Sequence, residues 1–418
     1  MASDWRERPL TELAENFDGM RVPVKEADRR PGPYPYYGAS GVVDHVDQYL
    51  FDGEYLLIAE DGENLRTRNT PIAFLARGKF WVNNHAHIVR GNSEADTRFL
   101  MYALSSADIS GYLTGSTMPK LTQGNMNRIP LLAPPLREQR AVANILGTLD
   151  DKIELNTRMN ETLETMARTL FKSWFVDFDP VRAKVEDRDP GLPKPLANLF
   201  PDSLEDSDLG AIPSGWQAGP ILNHARLISG GTPKTDRPEY WDGSIRWASA
   251  KDVSQSTGSF LVETERTITE RGLDESATQI IPAFCSVVVA RGATTGRMVL
   301  FGRDMAMNQT CYALATTTET PFALYCRLRE EIDTLVHAAH GSVFDTITTS
   351  TFASSRIVLP PVPVLKKFEE QIAPVFQRVL RSTHESLILA ALRDTLLPRL
   401  ISGKLRVDDA ERFIGRVL

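Results

Sequence analysis

Between Pro134 and Pro180 the apolar residues return at three- and four-residue steps. They run Leu146, Leu149 and Ile153, then Leu163, Ala167 and Leu170. Gly147 is the single glycine or proline between Leu136 and Asp179. This spacing predicts one long amphipathic helix with a heptad seam. From Ala141 to Ser173 it would extend about 50 Å at 1.5 Å per residue. A helix of that length needs a partner for its apolar stripe. It reads as a strut, the alternative being an ordinary core helix of one large domain.

The pattern recurs. Advancing 226 positions carries Pro134-Pro135 onto Pro360-Pro361, Gly115-Ser116 onto Gly341-Ser342, Thr122 onto Thr348 and Thr169-Leu170 onto Thr395-Leu396. The seam carries across as well. Leu146, Leu149, Ile153, Leu163 and Leu170 become Ile372, Val375, Val379, Leu389 and Leu396. One offset held without gaps marks a duplication. Asn156 and Asn160 interrupt the first stripe, and Ser382 and Ser386 interrupt the second. Two such helices side by side would meet polar centre to polar centre, which fixes register. A bend that turns these positions to water is the alternative. Pro374 should begin or kink the second helix, and Pro398 should end or bend it near Leu397.

The rest of the chain alternates short strand patterns with turn signals. Trp5–Val24 reads as a lead-in with a short strand, and Pro31–Asp44 as a turn-rich loop. Gly53–Gly62 and Pro71–Val89 read as strands and Thr97–Ser110 as a helix. Residues 181–210, with several prolines and mixed charge, read as a surface connection. Residues 211–361 repeat the first part in outline. Trp216 answers Trp5, and Met307–Leu314 answers Val82–Val89 at an offset of 225. The expected division is 1–134, 135–180, 181–210, 211–361 and 362–418. The expected fold is two similar α/β domains separated by two long helices paired as an antiparallel coiled coil.

Composition narrows the function. The 418 residues have 42% hydrophobic and 24% charged content, as in soluble globular proteins. No apolar run approaches the roughly 18 residues of a membrane helix, and the charged start MASDWRERPL carries no secretory signal. Cys285, Cys311 and Cys326 form no close pair, which fits a reducing, intracellular setting. A net charge of −7 argues against a uniformly basic DNA-binder. A nucleic-acid role then needs local clusters, a basic partner, or both.

Enzyme motifs are missing. Ala133-Pro134-Pro135-Leu136 and Leu359-Pro360-Pro361-Val362 lack the amide and the aromatic of an Asn/Asp-Pro-Pro-aromatic methyltransferase motif. Gly292–Gly296 lacks the lysine of a phosphate loop. His85 and His87 share a face without a third ligand at metal spacing and read as a structural pair. His337 and His340 read as surface neighbours on a helix. No carboxylate cluster with a nearby lysine marks a nuclease.

Several segments, in order, resemble type I restriction-modification specificity subunits. PPLREQRAVANILGTLDDKIELNTRMNETLETMARTLFKSWF and LRDTLLPRLISGKL are similar to that family's two helical regions. SGGTPKTDRPEYWDGSIRW and RGATTGRM are similar to loop segments of its second target-recognition domain. The first domain keeps the frame in PYPYYGASGVVD and AEDGENL but lacks the GGTP and GATTG loops.

The resemblance implies two recognition domains related by an approximate two-fold axis. Each reads one half of a split, asymmetric double-stranded DNA site, and paired helices set the spacing. It implies no catalysis and no cofactor in this chain. S-adenosylmethionine, ATP and Mg belong to partners: two modification subunits and the restriction subunits. The setting would be cytoplasmic, with no membrane. A methyltransferase-only or fused nuclease system, or a coiled-coil scaffold binding only proteins, are the alternatives.

For DNA contact the loops are favoured. In the second domain these are Lys234, Thr235, Arg237, Trp247, Lys251, Arg291, Arg297, Asn308 and Gln309. In the first they are Tyr36, Tyr37, Arg66, Arg68 and Lys120. Arg and Lys suit guanine edges or phosphates, and Asn and Gln suit adenine. Each residue singly also fits a solvated charge or a loop-packing aromatic, so the prediction is the set.

Overall fold

The computed structural model describes residues 5–340, 346–410 and 412; the side chains of 333–335 and 337–340 lie outside the description. The expected surface pair His337 and His340, and the repeat positions Gly341-Ser342, therefore fall outside the described residues. The chain divides into two compact units, Met1–Ile153 with Ile388–Leu418, and Glu154–Leu387.

The first unit contains β1 (Arg6–Pro9), α1 (Leu10–Leu13), β2 (Ala14–Asn16), β3 (Pro31–Gly38), β4 (Gly41–Val46) and β5 (Phe51–Ala59). It continues through α2 (Asn64–Thr67), β6 (Ala73–Val82), β7 (Ala86–Gly91), α3 (Thr97–Ser106), α4 (Gln123–Asn127) and β8 (Pro130–Ala133). Its six-stranded sheet has the order β2-β7-β5-β6-β3-β4, and β1 pairs with β8. The Pro31–Asp44 segment, expected as a loop, is instead most of a hairpin. Its prolines hid the strand pattern, and β3 pairs with β6 only at Tyr36 and Tyr37.

The long helix α5 runs Leu136–Phe175. Its first turn is anchored by buried Gln139, whose amide donates to Pro134 O at 2.8 Å and Glu94 O at 3.0 Å. Gly147 is a notch. A Cβ there would lie 2.3 Å from the Arg98 guanidinium, which pairs with Asp151 at 3.1 Å.

The second unit contains α6 (Asp179–Val185), α7 (Lys194–Ala197), β9 (Leu204–Ser207), β10 (Gly210–Pro213), β11 (Gln217–Pro220), β12 (Ala225–Ser229) and β13 (Trp241–Ala248). Next come α8 (Ala250–Gln255), β14 (Phe260–Leu261), β15 (Arg266–Ile268), α9 (Glu270–Asp274), β16 (Ser286–Val289), β17 (Met298–Phe301) and β18 (Ala306–Met307). It closes with β19 (Cys311–Thr316), α10 (Pro321–His340), α11 (Thr349–Ser354), β20 (Arg356–Leu359) and α12 (Val362–Ile401). The sheets are β12-β19-β16-β17-β14, β15-β13-β18, β11-β20 and β10-β9. The 181–210 segment is not a loose surface connection. Val181 and Phe200 are buried, and Phe200 meets Trp174 edge-on at 5.2 Å. Apolar residues spaced by prolines carry no period, so their burial was not visible in the pattern.

The repeat extends to strand register. Asn16 opposite Val89 becomes Leu227 opposite Leu314. Ala59 opposite Ala86 becomes Val289 opposite Cys311. Ile58 opposite Ala73 becomes Val288 opposite Met298, and Arg6 opposite Ala133 becomes Gln217 opposite Leu359. Thr122 caps α4 and Thr348 caps α11 in the same way.

Within each unit the long-helix segments pack antiparallel. In the first, Leu146, Leu149, Leu389 and Leu396 join one buried cluster, with Ile153 partly buried against it. Asp150 accepts from Arg393 at 2.7 Å there. In the second, Ile372 and Val379 are buried, while Leu163, Leu170 and Val375 pack against the same cluster. Phe368 meets Phe171, Trp174 and Phe175 at 5.0–5.6 Å.

The polar centre is buried rather than bent to water. Asn156 and Ser382 are inaccessible, and Asn156 Nδ2 donates to Glu385 at 2.8 Å and to Ser386 Oγ at 3.3 Å. Pro374 and Pro398 do not break α12, which continues to Ile401. Pro398 lies within its last turn, so its missing N–H costs the helix a single bond near an end.

A partly buried side chain also ties α10 to α12. Glu369 accepts from Phe322 N–H at 3.2 Å and Ala323 N–H at 2.9 Å, and so caps α10 from outside. Burial pushes its carboxyl up to about 7, outweighing the two donors that favour the anion. Folding then takes up a proton between the ordinary value of 4.5 and about 7. The contribution of this group is full below pH 4.5 and is lost as pH rises through 7. Unfolding free energies from denaturant titrations at pH 5 and 8 should differ less in Glu369→Gln than in the parent chain. Equal pH dependence in the two would contradict this assignment.

Candidate nucleic-acid interface

The sheet β12-β19-β16-β17 gathers the loops of the second unit at one end. β12 finishes at Ser229 opposite Tyr312, while β16 finishes at Val289 opposite Cys311, where β19 begins. Residues 230–237, 290–297 and 308–310 therefore leave the sheet together, from strands about 4.8 Å apart. The first loop lies tight against its neighbours. A Cβ on Gly230 would come 2.1 Å from Asn308 O, and one on Gly231 2.5 Å from the Ala277 carbonyl carbon. Gly292 and Gly296 hold the turn between β16 and β17 at positive φ, 95° and 89°.

Lys234, Thr235, Arg237, Arg291, Arg297 and Gln309 are exposed on these loops. Arg237 pairs with Glu239 at 3.3 Å, and Lys251, on α8, with Glu265 at 2.6 Å. Lys234, Arg291 and Arg297 form no ion pair among the described residues. The Gln309 amide oxygen accepts from the Thr232 hydroxyl, tying two loops.

Other predicted contacts belong to the frame. Trp247 is buried, donates to Gly231 O at 3.0 Å and meets Trp241 edge-on. Asn308 Oδ1 accepts from Thr310 N–H at 3.2 Å and from its hydroxyl at 2.7 Å. These two support the loops and do not reach out from them.

The matching end of the first unit differs in chemistry. His87 is buried between Asp18 Oδ2 at 2.6 Å and Leu121 O at 2.7 Å. Burial raises the Asp18 carboxyl, but the hydrogen bond and charge of His87 outweigh it and hold it below the ordinary range. Glu60 is held down likewise, burial being outweighed by Arg21, His87 and Lys120. Arg21 bonds Glu60 at 2.9 Å and Lys120 lies 3.2 Å from it. Above this network His85 Nδ1 meets Asp61 Oδ2 at 2.8 Å. Of the expected structural pair, His87 is tied into the interior while His85 is half exposed. No group of three His, Cys, Asp or Glu suited to a metal occurs among the described residues.

The Type I restriction modification DNA specificity domain matches residues 2–165 and 213–391, one match on each repeat. The chain belongs to that family. The specificity subunit of the type I restriction enzyme HindI from Haemophilus influenzae is 27% identical, over 96% of this chain and 100% of that protein. That of MjaIX from Methanocaldococcus jannaschii is 23% identical, over 97% and 94%. The fold is similar to the S subunit of a type I restriction-modification system from M. genitalium, with a TM-score of 0.63 and 15% identity over 96% of this chain and 97% of that one. No described helix is long and apolar enough to cross a membrane.

In this specificity-family chain Tyr36 and Arg68, predicted as contacts of the first unit, need correction, while Arg66 and Lys120 remain exposed. Tyr36 is buried, its hydroxyl bonded to Val24 N–H and O, with the Arg29 guanidinium 4.5 Å from its ring centre. Arg68 donates to Ser105 O at 3.0 Å and Ala107 O at 2.7 Å, closing the C-terminus of α3. Tyr37 packs on Phe74 and Phe80, and burial raises its hydroxyl pKa. Arg66 braces Gly115 O at 3.1 Å, and Lys120 stays half-exposed beside Glu60.

Asp61 and His85 were not singled out as contacts. The 225 offset that sets His85 on Thr310 was the available signal. Arg68→Ala should strip donors from the end of α3 and lower unfolding free energy by about 1–3 kcal/mol. Lys234→Ala should stay within about 0.5 kcal/mol of the parent. Denaturant unfolding of both variants checks the contrast.

Proposed function

We propose that this chain is the sequence-reading subunit of a type I restriction-modification complex. The observation that carries the reading is the family match on both repeats, each lying on a register-matched frame. One frame with two sets of loop side chains suits recognition of an asymmetric, two-part duplex site. Lys234, Arg237, Arg291 and Arg297 supply phosphate and guanine contacts in one half. With a net charge of −7, further phosphate contacts fall to partner subunits.

Methylation and cleavage belong to those partners, two modification subunits and the restriction subunits. They bring S-adenosylmethionine, ATP and Mg to a cytoplasmic assembly, and this chain does no chemistry. Leu155, Met166, Leu387 and Ile388 stand exposed on the long helices and offer apolar contact for such partners. The antiparallel helix segments set the separation of the half-sites.

The test is to assemble the chain with its modification subunits and map methylated adenines across a genome. A two-part asymmetric motif with a fixed gap is expected. Inserting four residues near both Asn156 and Ser382 lengthens each helix by about 6 Å. The gap should then widen by one or two base pairs while each half stays unchanged. An altered half with an unaltered gap would refute the spacing role. Methyl transfer by the chain alone would refute the non-catalytic one.

A further inference from the structure

The matched registers also align residues just beyond the strand ends. In the second unit Ala290 N–H donates to Thr310 O at 2.8 Å, and Ile347 N–H to Ala290 O at 2.9 Å. Thr310 N–H donates to Asn308 Oδ1 at 3.2 Å. In the first unit Glu60 N–H donates to His85 O at 2.9 Å, and Leu121 N–H to Glu60 O at 2.8 Å. His85 N–H donates to Asn83 Oδ1 at 2.8 Å. The same three bonds tie the same three segments. They place Asp61 where the second unit has Arg291, and His85 where it has Thr310.

At this one position the hydrogen-bonding polarity is reversed. Arg291 offers donors only, and ionised Asp61 acceptors only. Asp61 is also held in place. Its Oδ2 is fixed by His85 Nδ1 at 2.8 Å, its side chain is 25% exposed and that of His85 52%. Oδ1 has no hydrogen-bond partner among the described residues. A carboxylate on such a loop repels phosphates and so weakens non-specific binding. What it can add is discrimination, because a carboxylate accepts from the cytosine N4 amino group while a guanidinium donates to guanine O6 and N7.

We propose that Asp61 and Arg291 are equivalent base-reading positions of opposite polarity. Asp61, oriented by His85, reads a cytosine amino group in the half-site of the first unit. Arg291 reads a guanine in the half-site of the second. This rests on the DNA-reading function proposed above. The backbone bonds just before Asp61 and Arg291 match, at Glu60 and Ala290, so the difference in the base chosen is put down to the side chain.

The full chain, assembled with its modification subunits, is used to select from randomised duplexes, and the bound pool is sequenced. Asp61→Ala should lose preference for cytosine at one position of one half, by about five- to 150-fold, with the other half unchanged. Asp61→Asn, nearly the same shape, should shift that position towards adenine and serves if the alanine variant does not fold. Arg291→Ala should lose one guanine in the opposite half. A parent complex with a clear motif that both Asp61 variants leave untouched overturns this inference alone. Loss at a base other than cytosine overturns the assignment of Asp61. A parent complex without sequence preference overturns the DNA reading and this inference with it.

Discussion

When a peptide N–H meets the carbonyl of the next strand, it settles which side chains face the core and which residue is last before a loop. In this chain that settlement is made twice. The four strands β2, β7, β5 and β6 and the four strands β12, β19, β16 and β17 share one order and one register. The loops proposed to read DNA are carried on their ends. The loops owe their positions to backbone pairing and not to their own sequences, so their side chains were free to diverge. One end became rich in exposed arginine and lysine, and the other acquired a buried His87–Asp18 pair beneath a partly exposed carboxylate.

The long helices serve both units through packing. Leu146 and Leu389 fill the core beside the first sheet, while Phe171 and Phe368 fill that beside the second. The capping of α10 by Glu369 and the stacking of the Arg327 guanidinium 4.8 Å from the Phe171 ring centre bind α10 to helices that begin and end elsewhere in the sequence. Between Ile153 and Leu163 the seam turns polar. Asn156 sits there in the interior with its amide hydrogens bonded and its carbonyl oxygen without a hydrogen bond. Leaving such an atom unpaired costs on the order of 1–3 kcal/mol. An apolar residue would avoid that cost.

Much of this was legible beforehand, and the reasons differ by element. The helix α5 announced itself because a heptad sustained over many turns suits a paired helix and hardly any rival conformation. The duplication was legible because its offset is constant over the second half of each unit. Proline-rich stretches were not. Pro31–Asp44 became mostly a hairpin and residues 181–210 became packed structure, since both bury aromatics or aliphatics without any period. At the loops, Gly230 is crowded by a neighbouring carbonyl, and the glycine pair marked that loop in the sequence. Aromatic type was a poor guide, because Trp247 and Tyr36 look alike in sequence whether they stack on a base or fill a core. Arg68 misled for a related reason, since a guanidinium closing a helix end carries no local mark. Asp61 stayed hidden because cations are the ordinary sign of a DNA contact, and it puts the opposite charge in the same place.

The hairpin connection between β5 and β6 is longer than its counterpart between β16 and β17, yet the flanking pairs Ile58–Ala73 and Val288–Met298 coincide. Backbone bonds through Glu60 and Ala290 clamp each connection at its root. Growth or shrinkage beyond the clamp therefore leaves the strands where they are. A lineage of such proteins could lengthen, shorten or rewrite this segment repeatedly, acquiring new preferences by insertion and deletion as readily as by point change, without having to solve the folding problem again.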